Sequence, residues 1–507
     1  MKVAKAEEMR LMDRMTIEET GIAGIVLMEN ASQAVARAAK KAKSAGRCCV
    51  VCGGGNNGGD GFAVARLMAN AGYLVEVVFL GEEGKLPADA TANAQVAKKM
   101  GFSFLRTEEE AMAAIGRADL VVDALFGTGF HGVPRQREAK LIAAINASEA
   151  YVVAVDIPSG VNADNGQVEG EAVRADKTVT FHLPKVGLLL YPGAEYAGEV
   201  EIADISIPKG QEERLHLAGN VLTKEEAGKL LPKRPKRSNK GTFGRVVLVA
   251  GSEEMTGAGV FAALGAYGAG CGLVTAAMVK GCGQVMHQLV PEAVFLPVEE
   301  EKGQISVAGA KALRTKMERG EVVIVGPGLG TGEQVKEAVQ TVLAAATGPV
   351  VLDADGLNVL SEETEVLKKR QGVTILTPHP KEMSRLCKKT VKEILADTIG
   401  TATAFAAEYG VIVVLKDART IIAFPDGQYF INCSGCAAMA KGGSGDVLSG
   451  ILGGLLAQGL SAKEAAVLGV FLHGLAGEEA EKEKGSYSVL ARDLAAYLGK
   501  AISSIQA

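Results

Sequence analysis

The chain has no tryptophan, and phenylalanine and tyrosine together bring its aromatic share to only 5%. It also lacks a dominant charge. Its 54 lysines and arginines stand against 59 aspartates and glutamates, a net charge of −5 with a pI near 5.9. That balance excludes a broad electrostatic grip on nucleic acid. The 8 cysteines show no disulfide spacing. Cys48, Cys49 and Cys52 share one apolar segment, and Cys271, Cys282 and Cys387 are isolated. Cys433 and Cys436 form a C-x-x-C without a second pair or a histidine partner nearby. Zinc or redox use is therefore set aside in favour of small residues lining a loop. Such thiol usage predicts a reduced, cytoplasmic compartment. The N-terminal MKVAKAEEMRLMDRM has no apolar centre and does not read as a secretion signal. Only Met255–Val279 is uncharged for long enough to span a bilayer. Gly268, Gly270 and Gly272 interrupt it, so a buried helix followed by a strand over Leu273–Val279 is the better reading, and no membrane partner is expected.

What the chain does contain is glycine, 63 residues of it, within an apolar content of 48% over 507 residues. Length predicts more than one domain, and glycine-rich turns between apolar runs predict α/β architecture. Strands are expected at Arg47–Cys52, Leu74–Leu80, Asp119–Leu125 and Tyr151–Asp156. Helices are expected at Gly61–Ala71, Ala88–Met100 and Arg137–Ala147, the alternation of a parallel sheet covered on both faces. Leu230–Gly244 is basic, holds two prolines and has no apolar period, and reads as a linker or entry arm. Alternation resumes at Arg245–Ala250, with a helix from Gly257. Further strands follow at Val322–Val325, Val350–Ala354, Thr374–Thr377 and Val411–Lys416, and a hairpin over Thr420–Phe424 and Gln428–Ile431. The expected division is 1–215, a linker 216–244, and 245–507. The apolar helical stretches Ile451–Leu456 and Ala465–Leu475 suit an interface or a core equally.

Two regions carry chemistry. In the second half, Gly442, Gly443 and Gly445 run into Asp446 at the start of a helical segment. Such a loop turns N–H groups and the positive end of the helix dipole toward an anion. A carboxylate there suits taking a proton from a hydroxyl that attacks phosphorus, which suggests phosphoryl transfer to a small alcohol with Asp446 as base. In the first half, GGGNNGGDG (Gly53–Gly61), DALFGTG (Asp123–Gly129) and DIPSG (Asp156–Gly160) each follow a strand. Ligands of open α/β sheets bind at the carboxyl ends of strands, so the three turns are expected around one crevice. Oxygens of Asn57, Asp123 and Ser159 suit a monovalent cation, and Asp156 a general base or a ribose contact.

These motifs carry a resemblance. GNNGGDG, DALFGTG and DIPSG, with LMENA (Leu27–Ala31) before them and TVTFHLPKVGLLLYPG (Thr178–Gly193) after, resemble the NAD(P)H-hydrate epimerase domain over about residues 1–215. The resemblance implies a Rossmann-like three-layer sandwich that interconverts the R and S epimers at C6 of hydrated NAD(P)H. It implies contact with the hydrate from Asn56, Asn57, Gly58, Gly59 and Asp60, and from Gly127, Thr128, Gly129, Phe130, His131, Gly132 and Val133. Potassium would lie on Asn57, Asp123 and Ser159, with Asp156 at the substrate. The second half resembles the ADP- or ATP-dependent NAD(P)H-hydrate dehydratase, a ribokinase-like α/β domain, over about residues 220–503. The likeness rests on GSEEMTGAGVFAALGA (Gly251–Ala266), VGPGLG (Val325–Gly330), LDADGLN (Leu352–Asn358), TPHPKEM (Thr377–Met383) and GGSGDVLSG (Gly442–Gly450). It implies Ala258, Gly328, His379 and Asp446 at the hydrate. It implies Lys416, Asp417, Ala418, Arg419, Thr420 and Gly445 at ADP or ATP, and Glu382 beside Mg²⁺ or water. Two positions depart from that family's pattern: Asp417 stands where a glycine usually follows the motif lysine, and Gly435-Cys436-Ala437 replaces Gly-Asn-Pro. Both bear on nucleotide preference. Homo-oligomers are also implied.

Two other functions compete. A vitamin-type small-molecule kinase with a regulatory first half would release a stable phosphorylated alcohol. A non-catalytic scaffold would have no need of Asp123, Asp156 and Asp446 together.

Overall fold

A computed structural model describes residues 1–506. The chain divides into two compact units, one over Lys2–Gly219 and the other from Asn220 onward. The first unit is built on a seven-stranded sheet. Its order is Phe104–Leu105, Leu74–Phe79, Arg47–Cys52, Leu120–Ala124, Tyr151–Val155, Lys177–Phe181 and Glu199–Ala203, and every neighbouring pair is parallel. Alternate side chains of these strands enter different cores. Val50, Val122 and Val153 join Phe62 and Met68 on one face, while Val51, Val121 and Val152 join Leu141 and Ile142 on the other. Burial on both faces explains the unbroken apolar runs and gives the expected three layers. Strand order reverses between Arg47–Cys52 and Leu120–Ala124, so the loops after these two strands bound the crevice where such sheets take ligands.

The helix after Arg47–Cys52 spans Asn56–Asn70 rather than starting at Gly61. The asparagines and Asp60 therefore lie in its first turns, not in a preceding loop. Gly58 permits this tight start, because a Cβ there would run into the Gly53 carbonyl oxygen.

In the second unit the strands run Val294–Val298, Leu273–Val279, Arg245–Val249, Val322–Val325, Val350–Leu352, Thr374–Leu376, Ile412–Leu415, Ile421–Ala423 and Tyr429–Ile431. All pair in parallel up to Ile412–Leu415. The last two add antiparallel as the expected hairpin. The uncharged segment is a helix over Thr256–Gly268 followed by the strand Leu273–Val279. No helix among the described residues is long and apolar enough to cross a membrane. That Thr256–Gly268 helix packs backbone to backbone on Ser444–Ala457. A Cβ on Gly265 would meet the Val447 carbonyl oxygen, and one on Gly450 the Ala262 carbonyl oxygen.

Two expectations change. The stretch read as a linker carries a helix over Lys224–Leu230 and a short 3₁₀ turn over Lys240–Phe243. Within it Arg234 lies 3.8 Å from the Phe243 ring centroid and donates to the carbonyl oxygen of Gly270 at 3.1 Å, so aromatic contact and hydrogen bonding order what composition left open. The apolar stretches Ile451–Leu456 and Ala465–Leu475 are buried inside the chain itself, which makes them core.

Candidate functional site

In the first unit the three sequence-marked turns do meet. Asp123, next to last in Leu120–Ala124, is fully buried. Its Oδ1 accepts from the Ser159 hydroxyl at 2.6 Å and its Oδ2 from the Ser159 amide at 2.8 Å. The Phe126 amide donates to Ser159 Oγ at 2.8 Å, and Asn57 Nδ2 donates to the Phe126 carbonyl oxygen at 2.9 Å. Asn57, Asp123 and Ser159 are thus linked through one oxygen-rich knot, with Gly127 packed against the Asn57 side chain. Burial raises the Asp123 carboxyl to about 6, and only hydrogen bonds from Ser159 and Leu125 oppose it. A hard monovalent cation fits these neutral and anionic oxygen donors.

Asp156 stands just past the end of Tyr151–Val155 with φ +66°, a left-handed conformation that is unfavourable for a side chain. Its surroundings hold it there. Oδ1 accepts from Lys185 Nζ at 2.6 Å, Thr180 Oγ1 at 3.0 Å and the Phe181 amide at 3.2 Å. The Lys185 ammonium is itself buried and donates also to Thr180 Oγ1 and the Phe181 carbonyl oxygen. Residue-by-residue reading missed the Asp156–Lys185 pair. Its one sequence signal is a lone lysine within FHLPKVGLLL. Asp60 is buried and pushed well up, by burial first and then by Asp156 and Asp13. Asp13 rises to about 6, again chiefly from burial, with Lys185 opposing. Of the remaining loop residues, Phe130 stacks on Phe126 with centroids 4.5 Å apart and His131 Nδ1 lies 3.3 Å from Asn162. Val133 is 62% exposed and sits against Gly170.

The second unit gathers its acids at the carboxyl ends of its central strands. Ser444–Ala457 opens with Gly443 at φ +91°, and Asp446 lies in its first turn. The Lys416 ammonium reaches this turn, 3.2 Å from where a Cβ on Gly445 would stand. Lys416 Nζ donates to Asp353 Oδ1 at 2.9 Å and lies 3.9 Å from Glu382. Asp353 is buried and also accepts from Thr377 Oγ1 at 2.7 Å and Ser449 Oγ at 2.6 Å. Ala354, at φ +49°, sends Asp355 the other way, where its Oδ2 accepts from the Gly330 amide at 2.9 Å. Burial, and next the nearby Asp353, raise Asp446 to about 8, while Lys416 opposes. Lys416 is nonetheless held above its ordinary value. Burial disfavours its charge, but Asp353 and Glu382 outweigh that. The carboxylates outnumber the one lysine, a surplus that suits a divalent cation carried by a phosphate chain.

His379 turns out to cap a helix. Its Nδ1 accepts from the Lys381 and Glu382 amides at 3.1 and 3.2 Å, while Glu382 Oε2 accepts from the His379 amide at 2.8 Å. Burial lowers its pKa, so the neutral ring is favoured. Gly328 and Ala258 are neighbours, since a Cβ on Gly328 would stand 2.7 Å from that of Ala258. Beyond Lys416, Asp417 and Ala418 are exposed, and Thr420 closes the turn by donating to the Asp417 carbonyl oxygen at 3.3 Å. Cys433 and Cys436 are free thiols in the loop before the anion turn. No group of three His, Cys, Asp or Glu among the described residues is arranged to hold a metal by itself.

Comparison with known proteins agrees with this division. Residues 24–187 match the family described as YjeF-related protein N-terminus, and residues 246–500 match the one described as NAD(P)H-hydrate dehydratase. The bifunctional NAD(P)H-hydrate repair enzyme of Moorella thermoacetica is 40% identical over 100% of this chain and 97% of its own length. That of Thermofilum pendens is 38% identical with the same coverages. Among solved structures, the ADP/ATP-dependent NAD(P)H-hydrate dehydratase of Bacillus subtilis, co-crystallised with ATP and Mg²⁺, aligns with TM-score 0.50 and 34% identity over 56% of this chain and 98% of its own. A ribokinase-like superfamily protein of Enterococcus faecalis aligns with TM-score 0.50 and 28% identity, covering 57% and 98%. The chain belongs to the family of bifunctional NAD(P)H-hydrate repair enzymes, an epimerase unit followed by a dehydratase unit.

Proposed function

We propose that the chain repairs hydrated NADH and NADPH, its first unit interconverting R and S hydrates and its second dehydrating the S form with ADP or ATP. The observation that carries the chemistry is the placing of Asp446 and Lys416 together at the Gly443–Gly445 turn. Asp446 takes the proton of the C6 hydroxyl as its oxygen attacks the terminal phosphoryl group of the nucleotide. The Gly443–Gly445 amides and Lys416 receive the growing negative charge. The bond from phosphorus to the nucleotide breaks, and phosphate then leaves C6 with its former hydroxyl oxygen while a proton leaves C5. The ring double bond returns, and with ADP the products are AMP, phosphate and reduced cofactor. Mg²⁺ on the phosphates would neutralise charge, with Glu382 beside it. His379, Gly328 and Ala258 form the hydrate wall, and Lys416–Thr420 the nucleotide strip.

In the first unit, Asp156 is the base and Lys185 with Thr180 fixes its carboxylate. Potassium on Asn57, Asp123 and Ser159 would hold the loop of Gly127–Val133 against the hydrate, beside Asn56–Asp60. A cytoplasmic location and homo-oligomeric assembly belong to the same reading, and the eight free thiols support the first.

The test is recovery of the near-ultraviolet absorbance of reduced nicotinamide from mixed R- and S-hydrated NADH, with Mg²⁺, K⁺ and either nucleotide. Wild type should recover all of it, Asp156→Asn only the S fraction quickly, and Asp446→Asn almost none. Release of a stable phosphorylated alcohol would establish the kinase alternative instead.

A further inference from the structure

A buried carboxylate that the dehydration chemistry has not used lies behind the anion turn. Asp353 is 1% exposed, and each of its oxygens is committed: Oδ1 to Lys416 Nζ at 2.9 Å and Thr377 Oγ1 at 2.7 Å, Oδ2 to Ser449 Oγ at 2.6 Å. These partners come from different elements. Asp353 follows the strand Val350–Leu352, Thr377 follows Thr374–Leu376, Lys416 follows Ile412–Leu415, and Ser449 lies one turn into Ser444–Ala457. Ser449 therefore ties the cradle to the same helix whose N-terminal turn holds Gly445 and Asp446. The backbone around Asp353 is fixed as well. A Cβ on Gly326 would run into the Asp353 carbonyl oxygen, and Ala354 next to it is held at positive φ. A lysine on four rotatable bonds would otherwise sample many positions. Here its ammonium is pinned 3.2 Å from the Cβ position of Gly445.

We infer that Asp353, supported by Thr377 and Ser449, is a positioning residue whose task is to hold Lys416 against the Gly443–Gly445 turn, so that Lys416 meets the phosphoryl group in transfer and not a remote part of the nucleotide. In this role Asp353 acts on the phosphoryl group through the lysine. This deepens the dehydratase reading and rests on it. An interaction made mainly in the transition state lowers kcat when lost and leaves KM near its original value.

The experiment uses the full-length enzyme with S-hydrated NADH, Mg²⁺ and ADP, following absorbance recovery and phosphate release together. Asp353→Asn and Lys416→Met should each lower kcat about 30- to 300-fold, with KM for hydrate and nucleotide changed less than about threefold. The double variant should be no slower than Lys416→Met alone, because both remove one interaction. Ser449→Ala keeps the ion pair and removes one supporting hydrogen bond, so it should fold normally and lose about 2- to 10-fold in kcat. Multiplying losses in the double variant would overturn the inference. So would an Asp353→Asn enzyme that is less heat-stable yet fully active per folded molecule, or, should that variant fail to fold, a Ser449→Ala enzyme with unchanged kcat. Wild-type enzyme that repairs no hydrate with either nucleotide is a different failure, that of the dehydratase reading itself.

Discussion

Asp446 is where residue-scale electrostatics meets activity. Burial and the neighbouring Asp353 lift its carboxyl from 3.8 to about 8. A base must be ionised, so kcat/KM for the S hydrate should rise about tenfold per pH unit below that value and level off above it. A steady-state pH series at fixed Mg²⁺ and ADP reads this directly, and a flat profile between about pH 6 and 8 would remove Asp446 from the role of titrating base. The same shift bears on stability. A carboxyl raised on folding favours the fold fully below its unfolded value, and that contribution is lost as pH rises through the folded value. Asp446→Asn abolishes the ionisation. Its thermal midpoint should therefore exceed wild type by about 2–4 °C near pH 8, after discounting for partial solvent access, and approach it near pH 5. Activity would fall while stability rises, as expected of a charge kept for chemistry.

Helix packing explains some of the glycine. Gly450 faces the Thr256–Gly268 helix so closely that a Cβ would collide with the Ala262 carbonyl oxygen. Backbone atoms cannot step aside as a flexible side chain can, so Gly450→Ala should destabilise the second unit by about 2–4 kcal/mol. Gly499 lies inside the helix Ala491–Ser503 with no heavy atom near its Cβ position. There Gly499→Ala should add about 0.5–1 kcal/mol, because only the conformational freedom of the unfolded chain changes. Thermal unfolding of the two variants beside wild type checks both signs. Equal effects would mean that the helix contact is looser than the geometry here. The Ser444–Ala457 helix combines this close contact with the anion turn at its N-terminus, so its packing sets how accurately Asp446 is placed.

At the scale of the whole molecule, each unit has its own strand-order reversal and its own cluster of acids. The product of the first reaction is the substrate of the second and is a small diffusible molecule. An equimolar mixture of Asp156→Asn and Asp446→Asn enzymes should therefore restore complete recovery from mixed hydrates, though each alone leaves a remainder. The absorbance end point measures it. Recovery that stops at the S fraction would mean that the Asp446→Asn chain has lost its epimerase as well, so that the two activities are not separable.

The sequence by itself determined the parallel strands, the glycine turns that follow them, and the order of motifs that marks both halves. Those features are local: an apolar run of strand length and a glycine turn carry their structural meaning within a few residues. Asp123, Asp156 and Asp446 stood out for the same reason, each lying near the end or start of an element. Helix starts were less legible, and the Asn56–Asp60 turns read as loop because asparagine and glycine signal turns wherever a tertiary contact such as Gly58 on Gly53 is unseen. Tertiary structure alone decided the partners. Lys185 is 29 residues from Asp156, and Lys416 is 63 residues from Asp353. No periodicity links such distant positions, and only the folded sheets bring one strand end beside another. The same holds for the raised Asp446 carboxyl, because desolvation and neighbouring charge exist only once the chain has closed around it.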